Sequence, residues 1–214
     1  MKIACISDIH GNISRNIFSM LLNERPDLIV IAGDITNFGG KQHAYAVLST
    51  LSQICNKILA VPGNCDREDV LELLEEIGIS LHGRAVISGE IAFFGAGASP
   101  PTPFSTPFEI SEEEIKSLLE KAYAQCANVR IKIMVTHSPP YGILDRIASG
   151  EHVGSKAIRE FLEEKEDIGY LICGHIHEAS GAERFGNTLV INPGTFISGC
   201  YILETETGEV RRIP

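Results

Sequence analysis

Polar side chains of the types that bind metal ions follow apolar runs at five places in this sequence. The five motifs are Asp8-x-His10, Gly33-Asp34, Gly63-Asn64, His137 and Gly174-His175-x-His177. Each motif stands where a strand-like run stops, and the functional groups of α/β sheets gather at the carboxyl ends of strands. A single motif of this kind often arises by chance, but the coincidence of five motifs, each at a strand end, is hard to dismiss. If the strands are neighbours, these side chains converge on one place.

The donor types in these motifs predict a particular chemistry. Carboxylate, imidazole and amide oxygen suit Mn²⁺, Fe, Zn²⁺ or Mg²⁺ and need no thiolate. Since a carboxylate has two oxygens, Asp34 can bridge two ions. Two ions about 3.5–4 Å apart can lower the pKa of a shared water and neutralise phosphate oxygens during in-line attack. Phosphoryl transfer depends mainly on such positioning and charge stabilisation.

The elements that must position the motifs alternate along the first half of the chain. Strand-like runs are predicted at residues 2–7, 28–32 and 57–61. Each run is followed by a polar loop and a helical segment, and these helices are predicted at 17–22, 42–54 and 68–77, with Ser14 as the N-cap of the first. This repeat is typical of a partly parallel sheet with covering helices.

The second half of the chain is richer in β-strands. Two hairpins are predicted, at 84–88 with 91–95 and at 182–185 with 188–192. Ser111 and Glu114 form a capping box for a helix that ends at residue 124. The remaining predicted elements are strands at 131–136, 170–173, 197–204 and 209–213 and a helix at 155–164. Together they predict an α/β fold with two mixed sheets packed face to face and flanked by helices.

The ordered motifs resemble those of the calcineurin-like metallophosphoesterase superfamily, which read D-x-H, G-D, G-N-H-[D/E], H and G-H-x-H. The resemblance spans residues 8 to 177 and implies an αββα sandwich, here as one domain of residues 1–214. It implies that one ion is held by Asp8, His10, Asp34 and His177. It implies that a second ion is held by Asp34, Asn64, His137 and His175.

Cys65 departs from the superfamily pattern, which commonly has a histidine after the asparagine. A thiol near its reference pKa of about 8.5 is mostly neutral at pH 7 and donates hydrogen bonds poorly. A subset of the superfamily resembles this chain in having Gly-Asn-Cys-Asp, and it includes small phosphodiesterases and a trafficking subunit used as a scaffold. We therefore expect weak action on poor leaving groups and better action on aryl-type diesters.

The resulting prediction is a phosphoesterase, more a diesterase than a monoesterase, that acts by attack of a metal-bridging hydroxide on phosphorus. Asp34, Asn64 and His137 are the expected catalytic residues. The expected cofactors are two divalent ions, Mn²⁺ first, with Fe, Zn²⁺, Ni²⁺ or Mg²⁺ as alternatives. Two other functions stay open: a weakly active or inactive protein-interaction scaffold on the same fold, and a binuclear hydrolase that acts on amides.

Composition limits the partners of the protein. A net charge of −10 argues against gripping long nucleic acid through the general surface. It does not exclude a nucleotide substrate, because bound metal ions can reverse the charge locally. The expected substrate is a small phosphoester. No apolar run approaches the roughly 20 residues of a membrane span, and no signal peptide is recognised. These observations predict a cytoplasmic protein that does not bind membranes; the sequence leaves its oligomeric state open.

Four residue-level interpretations stay open in the sequence. Asp66 belongs to the site or is only the N-cap of the next helix. Cys65 is a quiet pocket residue rather than a nucleophile, because no base is evident beside it. His152 reaches the site or remains in its own glycine-flanked loop. The proline-rich loop 98–108 rims a pocket through Phe104 and Phe108 or forms a small satellite cluster.

Overall fold

The computed structural model describes residues 1–127 and 129–214. The strands are β1 (Lys2–Ile6), β2 (Leu28–Ala32), β3 (Ile58–Val61), β4 (Ala85–Ser88), β5 (Ile91–Ala96), β6 (Ile131–Thr136), β7 (Tyr170–Ile172), β8 (Gly181–Phe185), β9 (Thr188–Asn192), β10 (Cys200–Glu204) and β11 (Glu209–Ile213). The α-helices are α1 (Arg15–Glu24), α2 (Lys41–Leu51), α3 (Glu68–Glu76), α4 (Glu112–Tyr123) and α5 (Lys156–Glu164). Within these described residues, every helix is too short or too polar to cross a membrane.

The strands form two mixed sheets, as predicted. The first sheet has the order β11-β10-β1-β2-β3, and the second has the order β4-β5-β6-β7-β9-β8. Strands β1, β2 and β3 are parallel to one another, and so are β5, β6, β7 and β9. The other pairings are antiparallel and lie at the sheet edges or join the carboxyl-terminal hairpin to β1.

Successive side chains of a strand point to opposite faces of its sheet, and both faces of the inner strands are buried. Ile3 and Cys5 of β1 pack with Phe93 of β5 in a core between the two sheets. Ala4 and Ile6 of the same strand point the other way, into a core covered by α1, α2 and α3. The outer face of the second sheet is covered by α4 and α5. The layers are therefore helices, sheet, sheet and helices, which confirms the predicted αββα sandwich.

The predicted strand at 197–204 is wrong in its first part. Phe196–Ser198 form a 3₁₀ turn, and β10 begins only at Cys200. The Phe196 side chain is fully buried in the core beneath the helices of the first sheet. Gly199 follows with a φ of +137°, a conformation that L side chains rarely adopt. The chain therefore turns inward to bury the phenylalanine before it extends.

Helix boundaries depend on the local capping groups. The side chain of Ser14 accepts a hydrogen bond from the Ile17 N–H, which confirms the predicted N-cap of α1. Ser111 likewise accepts from the Glu114 N–H at the start of α4. The predicted helix 42–54 is too long at its end: α2 ends at Leu51, and residues 52–54 form turns.

The loops after β2 and β3 are joined by a buried carboxylate. Asp66 is completely buried and accepts hydrogen bonds from the backbone N–H groups of Ile35 (3.1 Å), Thr36 (2.7 Å) and Gly63 (2.9 Å). Helix α3 has its N-cap one residue later, at Arg67, so the N-cap interpretation of Asp66 is wrong. The carboxylate instead fixes the loops that carry the second and third motifs against each other.

We expect Asp66→Asn to lower the free energy of unfolding by about 2–3 kcal/mol, because the amide nitrogen would face backbone N–H donors. Urea denaturation measures this change. Glu68→Gln alters an exposed carboxylate two residues away and should change stability by less than about 0.5 kcal/mol. An Asp66→Asn protein that unfolds at the wild-type urea concentration would disprove the anchoring role of this carboxylate.

Candidate functional site

The five motifs lie at the carboxyl ends of five parallel strands. Asp8 follows β1, Asp34 follows β2 and Asn64 follows β3 in the first sheet. His137 directly follows β6 of the second sheet, and His175 follows β7. Because the sheets pack face to face, these strand ends meet at one edge of the sandwich. The structure thus brings together side chains that are distant in sequence.

Several of these residues have an unusual backbone conformation. Among the residues of the five motifs, Asp8, His10, Asp34 and His175 have φ between +49° and +68°. This left-handed region is uncommon outside glycine, and such residues cluster at functional sites. The N–H of Asp8 donates to the Gly33 carbonyl (3.1 Å), and the N–H of His10 donates to the Asp34 carbonyl (2.9 Å). These bonds hold the loops after β1 and β2 together.

Two glycines permit the close approach of the strand ends. A Cβ atom at Gly33 would lie 2.3 Å from Nδ1 of His137. A Cβ atom at Gly63 would lie 2.0 Å from Oδ1 of Asp34. Both distances are far shorter than any real carbon contact, so a larger residue at either position would displace a side chain of the site.

The first cluster consists of Asp8, His10, Asp34 and His177. Nε2 of His10 lies 3.9 Å from Oδ1 of Asp8 and 3.7 Å from Oδ2 of Asp34. Nε2 of His177 lies 3.5 Å from Nε2 of His10 and 3.2 Å from Oδ1 of Asp8. Ligand atoms of Asp8, His10 and His177 lie within 4.8 Å of one another, and Asp34 joins this cluster through its contact with His10. Asp8 is buried, whereas His177 is partly exposed, so this cluster borders solvent.

The second cluster consists of Asp34, Asn64 and His137, and the ring of the fourth predicted ligand, His175, packs beside that of His137. Nε2 of His137 lies 2.8 Å from Oδ1 of Asn64 and 3.4 Å from Oδ1 of Asp34. The His137 and His175 rings are 5.0 Å apart between centroids. Asp34 belongs to both clusters and presents a different oxygen to each: Oδ2 to His10 and Oδ1 to His137. One carboxylate thus faces both groups of potential ligands.

The hydrogen bonding of His137 tests whether a cation fits the second cluster. Its Nδ1 lies 2.8 Å from the Ala32 carbonyl and must donate there, since a carbonyl only accepts. In the neutral ring, Nε2 then directs a lone pair at the oxygens of Asn64 and Asp34. Such a convergence of acceptors requires a proton or a cation between them. A histidine that donates its other N–H to a carbonyl is the usual arrangement of a metal ligand.

The charges around the clusters also fit a cation. Asp8 and Asp34 are almost completely buried, and in the described part of the chain their ion pairs are with histidines only. Burial opposes the charged form of His137, yet Asp34 and Asp8 raise its pKa. Buried carboxylates need compensating positive charge. The site therefore accommodates divalent ions well.

Two further pKa values suit metal binding. Burial, together with His137, lowers the pKa of His175 to about 3, so this ring is neutral and retains a lone pair. Burial alone would raise the pKa of Asp8, but the His177 hydrogen bond and the nearby His137 lower it. Asp8 therefore remains a carboxylate, a strong ligand for hard cations.

The orientation of the Asn64 amide is set by residues that the sequence did not point to. Burial opposes ionisation of Glu109, but hydrogen bonds from Thr102 and Thr106 lower its pKa to about 2, so it only accepts. The Thr106 hydroxyl donates to Glu109 (2.6 Å) and accepts from Nδ2 of Asn64 (3.0 Å). Oδ1 of Asn64 must then face His137. Thr106 and Glu109 escaped prediction because they lie outside the ligand motifs.

Cys65 lies at the edge of the site as an uncharged group. Its Sγ lies within 4.8 Å of ligand atoms of His10 and Asp34, and its backbone N–H donates to Oδ1 of Asp34 (2.8 Å). Burial and the Asp34 carboxylate raise the pKa of the thiol. The protonated thiol is a poor nucleophile, which favours the interpretation of Cys65 as a quiet pocket residue.

The two remaining interpretations are decided by contacts outside the clusters. Nδ1 of His152 bonds to Oδ1 of the buried Asp145 (2.5 Å), so His152 stabilises its own loop. In the proline-rich loop, Phe104 is 84% exposed at the rim of a cavity. Phe108 is buried in the core of the second sheet. One phenylalanine therefore rims a pocket and the other belongs to the core.

Comparisons with known proteins agree with this architecture. Phosphodiesterase YfcE of Escherichia coli is 33% identical over 76 residues, which cover 32% of this chain and 41% of that protein. The structure of TT1561 from Thermus thermophilus matches with a TM-score of 0.77 and covers 99% of this chain and 97% of that one. At 14% identity, this likeness shows the fold alone.

Two further matches extend along most of the chain. The uncharacterized protein MJ1162 of Methanocaldococcus jannaschii is 36% identical over 197 residues, which cover 90% of this chain and 88% of that protein. A family model described as calcineurin-like phosphoesterase matches residues 1–179, which include all five motifs. The chain therefore belongs to the calcineurin-like phosphoesterase family.

Proposed function

We propose that this protein hydrolyses small phosphoesters, diesters in preference to monoesters, with two divalent metal ions. The proposed ligands are Asp8, His10, Asp34, Asn64, His137, His175 and His177. The observation that carries the proposal is the position of Asp34, whose two oxygens face separate groups of nitrogen and oxygen donors. Membership of a phosphoesterase family and the local similarity to a phosphodiesterase support it.

The ions would supply positive charge for the phosphate oxygens and lower the pKa of a coordinated water. The protein contributes fixed geometry: His137 is oriented by the Ala32 carbonyl and Asn64 by the Thr106 hydroxyl. These two, with Asp34, are the proposed catalytic residues. The oxygen and imidazole nitrogen donors suit Mn²⁺, Fe, Zn²⁺, Ni²⁺ and Mg²⁺. Mn²⁺ is the ion that we propose first.

The choice of diesters with good leaving groups follows from Cys65. A thiol is a weak hydrogen-bond donor, so Cys65 replaces an imidazole poorly as the group that protonates a departing alkoxide. An aryloxide needs little protonation, because its negative charge is already stable. Aryl-type esters are therefore the proposed class on which this chain acts best.

A non-catalytic scaffold on the same fold is the main competing function. A site released from catalysis would be expected to lose ligands, yet all seven potential donors lie at one edge of the sandwich. Hydrolysis of a chromogenic diester with each candidate ion separates the two functions. Metal binding without turnover under every condition would favour the scaffold.

We expect hydrolysis of bis(p-nitrophenyl) phosphate to stop in EDTA and to return with added Mn²⁺. Asp34→Asn should lower kcat/KM by about 100-fold or more, because it removes the shared negative charge while keeping the side-chain shape. Asp167→Asn alters a partly exposed carboxylate that pairs with Lys132 and is the matched control. Wild-type activity in EDTA, or in a folded Asp34→Asn protein, would refute metal-dependent catalysis.

Cys65→His tests the missing proton donor. An imidazole at this position should raise kcat on an alkyl phosphomonoester by at least about tenfold and change kcat on an aryl diester much less, because proton transfer matters most for poor leaving groups. Cys65→Ser keeps a small side chain and should show no such gain. If the histidine variant gains nothing on alkyl monoesters, the thiol does not limit activity.

Thr106→Val tests the orientation of Asn64 through metal affinity rather than activity. Valine keeps the shape but cannot accept the Asn64 amide hydrogen, so we expect one of the two Mn²⁺ ions to bind about 10–100-fold more weakly by calorimetry. Ser105→Ala, at the exposed neighbouring residue, should bind both ions normally. Unchanged affinities in Thr106→Val would contradict a role of the hydroxyl in positioning Asn64.

A further inference from the structure

A cavity of about 550 Å³ opens directly beside the second cluster. Asn64 and His175 are among the residues that line it, so a group that enters it lies next to proposed ligands. Its volume falls within the usual range of small-molecule sites. Continuity with the clusters makes this cavity the natural place for the organic part of a phosphoester.

The walls of the cavity are mainly apolar. One wall is the proline-rich loop, with three prolines and Phe104, and the opposite wall includes Ile147 and Val153. Phe104 is 84% exposed and Val153 is 42% exposed. Apolar side chains of this size at the rim of a concave surface are typical of ligand sites. They favour an occupant that removes them from water.

Among the residues that the structure describes, those that line the cavity provide no cationic side chain for an anionic substituent. Of the described residues that line it, Glu178 alone carries an acidic side chain, and lysine and arginine are missing from the set. A further phosphate group that lay in this cavity, away from the proposed ions, would find no lysine or arginine among these lining residues. An uncharged organic group needs no such partner.

Both walls are held in place before any ligand arrives. Glu109 accepts hydrogen bonds from the Thr102 hydroxyl (2.6 Å) and the Thr106 N–H (2.8 Å), which fixes the proline-rich loop. The buried Asp145 accepts from the N–H groups of Gly142 and Gly154 (2.9 Å each), which closes the opposite loop. Because these hydrogen bonds already fix the backbone of both loops, binding an apolar group costs less loop entropy than it would in a mobile loop.

We infer that the cavity binds an uncharged aryl or alkyl substituent of the phosphoester, and that the substrates are phosphoesters of apolar alcohols or phenols rather than nucleotides or sugar phosphates. This inference rests on the proposed function, because the phosphate group is taken to lie at the two clusters. The apolar walls then decide which ester is preferred.

The test compares phosphonates that share one head group and cannot be hydrolysed at their P–C bond. Calorimetry on the Mn²⁺-loaded protein measures the affinities of methylphosphonate, benzylphosphonate and 2,3-dihydroxypropylphosphonate. We expect benzylphosphonate to bind at least about tenfold more tightly than methylphosphonate, because burial of its ring is favourable. The dihydroxypropyl compound should bind about as weakly as methylphosphonate, since the walls offer its hydroxyls few partners.

Variants at the rim locate the benzyl group. Phe104→Ser should reduce the preference for benzylphosphonate by about threefold or more, because it removes an apolar contact surface. Tyr45→Ser, at an exposed aromatic residue of α2 outside the cavity, is the matched control and should leave the preference unchanged.

The chain contains no tryptophan, so Phe104→Trp adds a single fluorescent reporter. Benzylphosphonate, but not methylphosphonate, should shift its emission to shorter wavelength.

Each failure has a separate meaning. If methylphosphonate does not bind the Mn²⁺-loaded protein, the proposed function fails and this inference fails with it. If methylphosphonate binds and benzylphosphonate binds no more tightly, only the inference is overturned. Tighter binding of the dihydroxypropyl compound than of benzylphosphonate, or tight benzylphosphonate binding with unshifted tryptophan emission, also overturns the inference alone.

Discussion

The placement of the Asp34 carboxylate between two groups of imidazole and oxygen donors is the constraint on which the site depends. Its Oδ1 accepts the Cys65 N–H and faces His137, whereas Oδ2 faces His10. Gly63 must lack a side chain for this carboxylate to fit. A buried negative charge in such a position is stable only when positive charge compensates it. The geometry and the electrostatics of the site therefore favour the same occupants, divalent cations.

The sandwich supplies the rest of the site by joining two sheets at one edge. The first sheet contributes the carboxylates, His10 and the Asn64 amide, and the second contributes His137, His175 and His177. Neither sheet holds a full set of donors, so the core between them, which includes Ile3 and Phe93, also positions the chemistry. Asp66 then fixes two of the loops through backbone N–H groups. The carboxylates near the site thus differ in role: Asp34 faces the clusters, and Asp66 supports the backbone.

The sequence was informative where the chemistry follows a strand directly. Asp8, Asp34 and His137 could be identified because an apolar run of predictable type ends just before each of them. Thr106 and Glu109 could not, because they act through hydrogen bonds across a loop that has no regular period. The strand predicted over 197–204 failed for a tertiary reason: Phe196 is drawn into the core, and apolar character alone does not distinguish an inward turn from a strand.

Two metal ions are proposed to share the Asp34 carboxylate. Crystals of the protein grown with Mn²⁺, with diffraction data collected at the manganese absorption edge, test this proposal most directly. We expect two anomalous peaks, one on each side of the Asp34 carboxylate. Asp8, His10 and His177 should surround one peak, and Asn64, His137 and His175 should surround the other. A single peak, or peaks away from Asp34, would contradict the proposal.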